Sequence, residues 1–345
     1  MRRILVAACV AASLLAACSS KSSNKSATDT TTKSSSATTG AVVSADVAPL
    51  TGLPADAATR ARPALVVKID NYAAKSYPQS GIGSADIVVC EGVEGGITRL
   101  MAIFQSKDAP TVGPIRSARS TDLHLAEPLG KPLFAYSGTN GDFQTLIDRA
   151  PVIDLHPDKL PAAYHRDATR PAPYNLFSST HLFYAAPAAK DATAAKPLFR
   201  FGAANSTADG TAVAKLDMHW KMPDRATSTS VEWTWSAGAP HRVQEGQPTT
   251  DANGATIAPR NIVVLFVEYP DSGERDRSNS IVPEAKLEGV GEAWVIRDGK
   301  LTKGTWTKPG DTSPIELKDA SGKSIDLLPG QTWVELPAPG NATVA

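Results

Sequence analysis

The stretch "GPIRSARSTD", residues 113–122, sets Arg116 and Arg119 three positions apart, with Ser117 and Ser120 beside them. Guanidinium groups offer several N–H donors in a plane, which suits phosphate and carboxylate oxygens, and the serine hydroxyls add further donors. "STDLHLAEPLG" has the length and spacing of a short helix beginning near Ser120. The pair is therefore expected at a helix mouth, where unpaired backbone N–H groups and the dipole favour an anion. One reading is an oxyanion pocket for a phosphate, a glycan carboxylate or a peptide C-terminus, and it makes Arg116, Ser117, Arg119 and Ser120 ligand-binding residues. The other is internal ion pairing, with Asp70, Asp86, Glu91, Glu94 and Asp122 as partners. The sequence leaves both open.

Asp70, Glu91 and Glu94 also admit an acid–base reading, since carboxylates in different environments can separate their pKa values. On that alternative the protein is an envelope hydrolase or transferase working around the arginines. His156, His165 and His181, with Asp154 and Asp167, supply nitrogen and oxygen donors, but none stands at a recognised metal-ligand spacing such as HExxH. There is no GxSxG elbow and no Walker loop, so neither a metal nor a cofactor is expected. Cys90 follows "DIVV" and reads as a buried strand thiol, because a reactive thiolate needs exposure and a basic neighbour. All six tryptophans lie in the C-terminal half, at 220, 233, 235, 294, 306 and 333. Trp233 and Trp235, two apart on a strand, share one face. Exposed, they form an aromatic surface for sugar rings or a protein partner; buried, they fill a core.

The elements that must position these groups follow from the apolar pattern. "ALVVKIDN" (64–71), "ADIVVCE" (85–91), "ITRLMAIFQ" (97–105), "PLFAYSG" (132–138) and "PVIDLH" (151–156) are short, rich in β-branched residues and bounded by Gly, Pro or Asp, as strands are. "GVEGG" closes a hairpin between the second and third. "NGDFQTLIDRA" predicts a helix capped by Asn140 or Asp142, and "SSTHLFYAAPAAK" another. In the second half "MHWKM", "SVEWTWSAG", "NIVVLFVEY", "EAWVIRDGKLTKGTWTK" and "SIDLLPGQTWVELP" read as strands, with Asp298-Gly299 suited to a type I′ hairpin turn. The expected fold class is α+β: a layered α/β N-terminal domain over 48–190, a connecting loop over 191–212 and a mostly β C-terminal domain over 213–345.

The N-terminus sets the address. "MRRILVAACVAASLLAACSS" runs from two arginines through a short apolar stretch to Cys18, a secretory signal over 1–17 too short to span a membrane. Leu15-Ala16-Ala17-Cys18 resembles the lipobox of bacterial lipoproteins, which implies diacylglycerol on the Cys18 thiol and a lipid anchor on the extracytoplasmic face of the cell membrane. Residues 18–47 are mostly Ser, Thr and Ala; too few large apolar groups remain to offset ordering entropy, so a disordered tether is expected. As a flexible coil it reaches roughly 30 Å. The 345 residues carry 35 basic and 35 acidic side chains, and this balance argues against a nucleic-acid partner.

Several ordered blocks carry a family resemblance. "PLTGLP", "RPALVVKIDN", "YPQSGIGSADIV", "EGGITRLMAIFQS", "VGPIRSARS" and "RPAPYNLFSS" resemble the N-terminal domain of the YerB-like bacterial lipoproteins, a family of unknown function. "VEWTWSAGAPHRV", "NIVVLFVEY", "RDGKLTKGTW" and "PGQTWVELP" resemble its C-terminal domain. The resemblance implies a two-part α+β body on a lipidated tether and brings no established activity. Cys90 stands where an apolar or aromatic residue is expected in relatives, which fits a packing role. The functional expectation is a membrane-anchored lipoprotein that binds an anionic ligand, a cell-wall polymer or an envelope protein.

Overall fold

In the computed structural model the described residues are 46–139, 142–221, 228–276 and 279–345. Cys18, its signal and nearly all of the expected tether lie outside them, as does Asn140. The described residues are mostly sheet with few helices. None of the helices among them is long and apolar enough to cross a membrane.

The strands form where the β-branched runs predict. Leu65–Asp70 (β1), Ile87–Gly92 (β2), Thr98–Phe104 (β3), Leu133–Ala135 (β4) and Ile153–Asp154 (β5) take up the N-terminal half. β2 and β3 pair antiparallel across the expected glycine turn, β3 pairs antiparallel with β1, and β4 and β5 continue in parallel. Every residue of β1, β2 and β3 is buried, which explains their continuous apolar character: sheet strands covered on both faces have no solvent side to make polar.

The sheet does not stop at the end of that half. Thr332–Glu335 pairs in parallel with β2 on one side and with Asn261–Leu265 on the other. Beyond these come Gly289–Arg297, Lys300–Lys308 and Glu316–Asp319, all antiparallel, so eleven strands from both halves share one sheet. Asp298 and Gly299 make the turn between two of them with φ of 46° and 74°, the positive values the Asp-Gly pair predicts.

A second, five-stranded sheet runs Gln247–Pro248, Ala239–Gln244, Ser228–Ser236, Lys215–Lys221 and Ala342–Val344. It lies against the main sheet. Trp233 meets Trp333 edge to face with ring centres 5.6 Å apart, and its Nε1 donates to Glu335 Oε1 at 3.0 Å. Trp233 has no exposed surface and Trp235 is only partly exposed, so the expected aromatic surface is replaced by core packing between two sheets. The side of the strand that carries both tryptophans faces the larger sheet.

The predicted helices occur as Thr121–Ala126, Phe143–Arg149 and Thr180–Tyr184. Ser179 caps the last through its side chain, while Asp142 occupies the cap position of the second without a side-chain bond.

Candidate functional site

Strand alternation decides which charges meet. Lys68 and Asp70 on β1, Glu91 on β2 and Arg99 on β3 point to one face, and the pairing sets Arg99 opposite Asp70 on one side and Glu91 on the other. Cys90 and Thr98 point to the opposite face.

The segment 116–118 lies across this face, fixed by its backbone. Arg116 N–H donates to Lys68 O, Arg116 O accepts from Ser137 N–H, and Ala118 N–H donates to Gly138 O. Arg116 Nε then donates to Asp70 Oδ2 at 2.9 Å. Arg119 Nε donates to Glu94 Oε1, and its Nη1 to Ala118 O at 2.7 Å. Arg99 Nη1 donates to Ser117 O at 3.1 Å, and Arg99 Nε, though buried, has no partner among the described residues. Burial first, then the neighbouring Arg119, lowers the Arg99 guanidinium to about 10, which still leaves it charged at neutral pH.

These three arginines form the floor of a cleft of about 810 Å³, and Arg166 and Arg275 stand on its walls with Glu94, Ser117, Ser137 and Thr139. Arg166 Nη1 donates to Asn175 Oδ1 at 2.7 Å, and Arg275 is paired with Asp271 through two bonds of 2.8 Å. Apolar contact comes from Ile97, Pro173 and Leu176. The predicted pair Arg116 and Arg119 is thus joined by Arg99, Arg166 and Arg275. Arg99 has a signal in hindsight, a lone cation inside an apolar strand run. Arg166 and Arg275 lie in segments without such a contrast.

The helix mouth plays a different part from the one expected. Thr121–Ala126 has only six residues, and Asp122 fills its first turn, where its Oδ2 accepts the Arg119 N–H at 2.7 Å. The protein's own carboxylate occupies that position, so the cation character of the cleft comes from side chains alone. Ser120 makes no cap bond. It lines a neighbouring hollow with Phe143 and Glu284 rather than the arginine cleft.

The three carboxylates singled out as acid–base candidates are separated by the fold. Glu91 is sealed with Lys68 and Asp122, Lys68 Nζ bonding to both, at 2.7 Å to Asp122. Burial, then Asp122 beside it, pushes the Glu91 carboxyl up to about 7 against the pull of Lys68. Asp70 accepts from Tyr72 N–H at 2.9 Å, from the Ser76 hydroxyl and from Arg116. Glu94 alone of the three lines the cleft.

On the opposite face, Arg242 Nε donates to Glu335 Oε1 at 2.9 Å, both side chains wholly buried between the sheets. Asn71 Nδ2 bridges to Thr98 and Gln244 at 2.8 Å each. Cys90 is a free, buried thiol within this layer; burial first, and then Glu335, raises its pKa well above the ordinary value, so it is held as a thiol. Among the histidines, His156 Nδ1 bonds Asp154 Oδ1 at 2.9 Å, an oxygen that also accepts from the Tyr136 hydroxyl at 2.9 Å. Among the described residues no three His, Cys, Asp or Glu side chains gather to hold a metal.

This fold and cleft can be set beside known proteins. The N-terminal domain model of "Protein of unknown function (DUF3048)" matches residues 50–194, and the C-terminal domain model of the same family matches 218–334. The chain belongs to this family. A relative from Bacillus subtilis (strain 168), named "Putative lipoprotein YerB", is 26% identical over 300 residues, which cover 84% of this chain and 85% of that one. The crystal structure of the YerB protein from Bacillus subtilis superposes with a TM-score of 0.74 at 24% identity, covering 87% of this chain and 99% of that one, and shows a shared fold. The resemblance read from the sequence blocks is therefore the family itself.

Proposed function

We propose that this protein is an extracytoplasmic lipoprotein, anchored through Cys18, whose folded body binds an anionic ligand of the cell envelope in the arginine cleft. The layered α/β region over 48–190 supplies most of the cleft lining, and the mostly β region over 213–345 adds Arg275 and Asp276. One observation carries this reading: five guanidiniums, those of Arg99, Arg116, Arg119, Arg166 and Arg275, line one cleft large enough for a ligand, against two carboxylates, Glu94 and Asp276. An excess of cations in a cleft draws an anion in, and guanidinium N–H groups suit its oxygens.

The carboxylates support binding over acid–base chemistry. Asp70 and Glu91 are engaged in internal bonds away from the cleft opening, and Glu94 is held by Arg119. Thermal melts of the purified protein against phosphate, sugar acids and wall peptides test the proposal. A ligand that binds only the native state raises the melting temperature by mass action. The rise is expected in the wild type and lost in Arg116→Ala, whose own unliganded melt shows that it folds although the buried Asp70 has lost its cation. No rise with any anion, with the wild type folded, would reject the site.

A further inference from the structure

Two tyrosines lie next to Arg116, just outside the residues that line the cleft. The rings of Tyr72 and Tyr174 lie 6.2 Å apart, inclined at 37°, and the Arg116 guanidinium carbon is 6.0 Å from the centre of the Tyr174 ring. Tyr72 is 39% exposed, one of few large apolar side chains left in solvent. Asp70 fixes both parts of this arrangement, since it accepts from the Tyr72 backbone N–H on Oδ1 and from Arg116 Nε on Oδ2. Arg170 fixes the loop that carries Tyr174, donating to Ser76 O at 3.2 Å and Pro78 O at 2.9 Å. Pro173, the residue before Tyr174, already lines the cleft. The tyrosine pair thus adjoins the cation site through Arg116 and Pro173.

We infer that the ligand of the cleft is an acidic saccharide, its sugar ring resting on Tyr72 and Tyr174 and its phosphate or carboxylate held by Arg116 and the arginines beneath. This inference rests on the anion-binding reading above and adds the body that carries the anion. Two tilted rings in mutual contact form an open, bent platform. A flat aromatic ligand would instead need a parallel slot, whereas a puckered ring can lay its C–H face on such a platform. The cleft lining also offers hydroxyls from Ser117, Ser137 and Thr139, which suit the hydroxyls of a polyol. Trp233 is buried between the sheets, and Trp235 lines a separate hollow with Pro259 and Gly299 rather than this cleft.

The test is isothermal titration of the full chain, purified in detergent, with inorganic phosphate, glucose 6-phosphate, glucuronate, glucose and the dipeptide Ala-Ala. The wild type is expected to bind glucose 6-phosphate or glucuronate at least tenfold tighter than inorganic phosphate, and glucose weakly. Tyr72→Ala and Tyr174→Ala should bring that ratio near one while inorganic phosphate binds as before, and Arg116→Ala should weaken all the anions together. Equal affinity for inorganic phosphate and both acidic sugars, or tighter binding of the dipeptide, would overturn the saccharide inference and leave the anion site standing. Failure of every anion to bind would overturn both.

Discussion

Replacing Glu91 with glutamine probes the charge layer that underlies the cleft. Its carboxyl is raised from 4.5 to about 7 by burial and by Asp122. The folded protein therefore holds that proton more tightly than the unfolded chain. The stability linked to it is fully present below about pH 4.5 and is lost as pH rises through about 7. Each unit corresponds to about 1.4 kcal/mol, so the loss between pH 4 and pH 8 is about 3 kcal/mol. Glutamine has nearly the shape of the protonated carboxyl and does not titrate, and Lys68 keeps Asp122 as its partner at 2.7 Å. Urea unfolding of wild type and Glu91→Gln at matched pH values reads the effect directly. The variant should gain on the wild type by about 3 kcal/mol from pH 4 to pH 8, with most of the change between pH 4.5 and 7. Parallel stability curves would show that Glu91 titrates normally, and the sealed Lys68–Glu91–Asp122 layer would have to be abandoned.

Two further outcomes test the frame around the cleft. Arg242→Met leaves Glu335 as a buried carboxylate without its cation and should cost about 3–5 kcal/mol in urea unfolding. Arg242→Met/Glu335→Gln, which keeps an acceptor for Trp233 Nε1, should recover at least half of that loss, and an additive loss would refute the pairing. His124 bonds Glu284 through Nε2 at 2.9 Å and Asp311 through Nδ1 at 2.6 Å, and the Glu284 bond is the largest cause of its raised pKa. Its contribution is present below pH 6.5 and is lost as pH rises through the raised folded value, so His124→Gln should cost more at pH 5.5 than at pH 8.5. Equal costs at the two pH values would show that the ring is not charged between its carboxylates.

Local chemistry in the sequence foretells the local parts of this structure. β1, β2 and β3 follow from their β-branched runs, the Asp298-Gly299 turn from its tolerance of positive φ, and the burial of Cys90 from its apolar approach. The parallel pairing of Thr332–Glu335 with β2 has no such signal, because nothing short-range distinguishes two apolar strands that will meet from two that will not. The site divides the same way. Arg116 and Arg119 are visible as a pair, but their convergence with Arg99 and Arg166 depends on strand register and on loops distant in sequence. The fate of Trp233 and Trp235 was a question of which side of the strand meets another sheet, and alternation alone gives a shared side without saying what covers it.

The strand Thr332–Glu335 sits in the middle of the main sheet although it follows every other strand of that sheet in sequence. Without residue 332 onward, β2 has β3 on one side and an open ladder of N–H and C=O groups on the other. A polypeptide cut anywhere before that strand is thus an unfinished sheet with a sticky margin, prone to pair with whatever strand it meets. Native assembly waits on this strand, and a premature stop just before it would be as damaging as one far upstream.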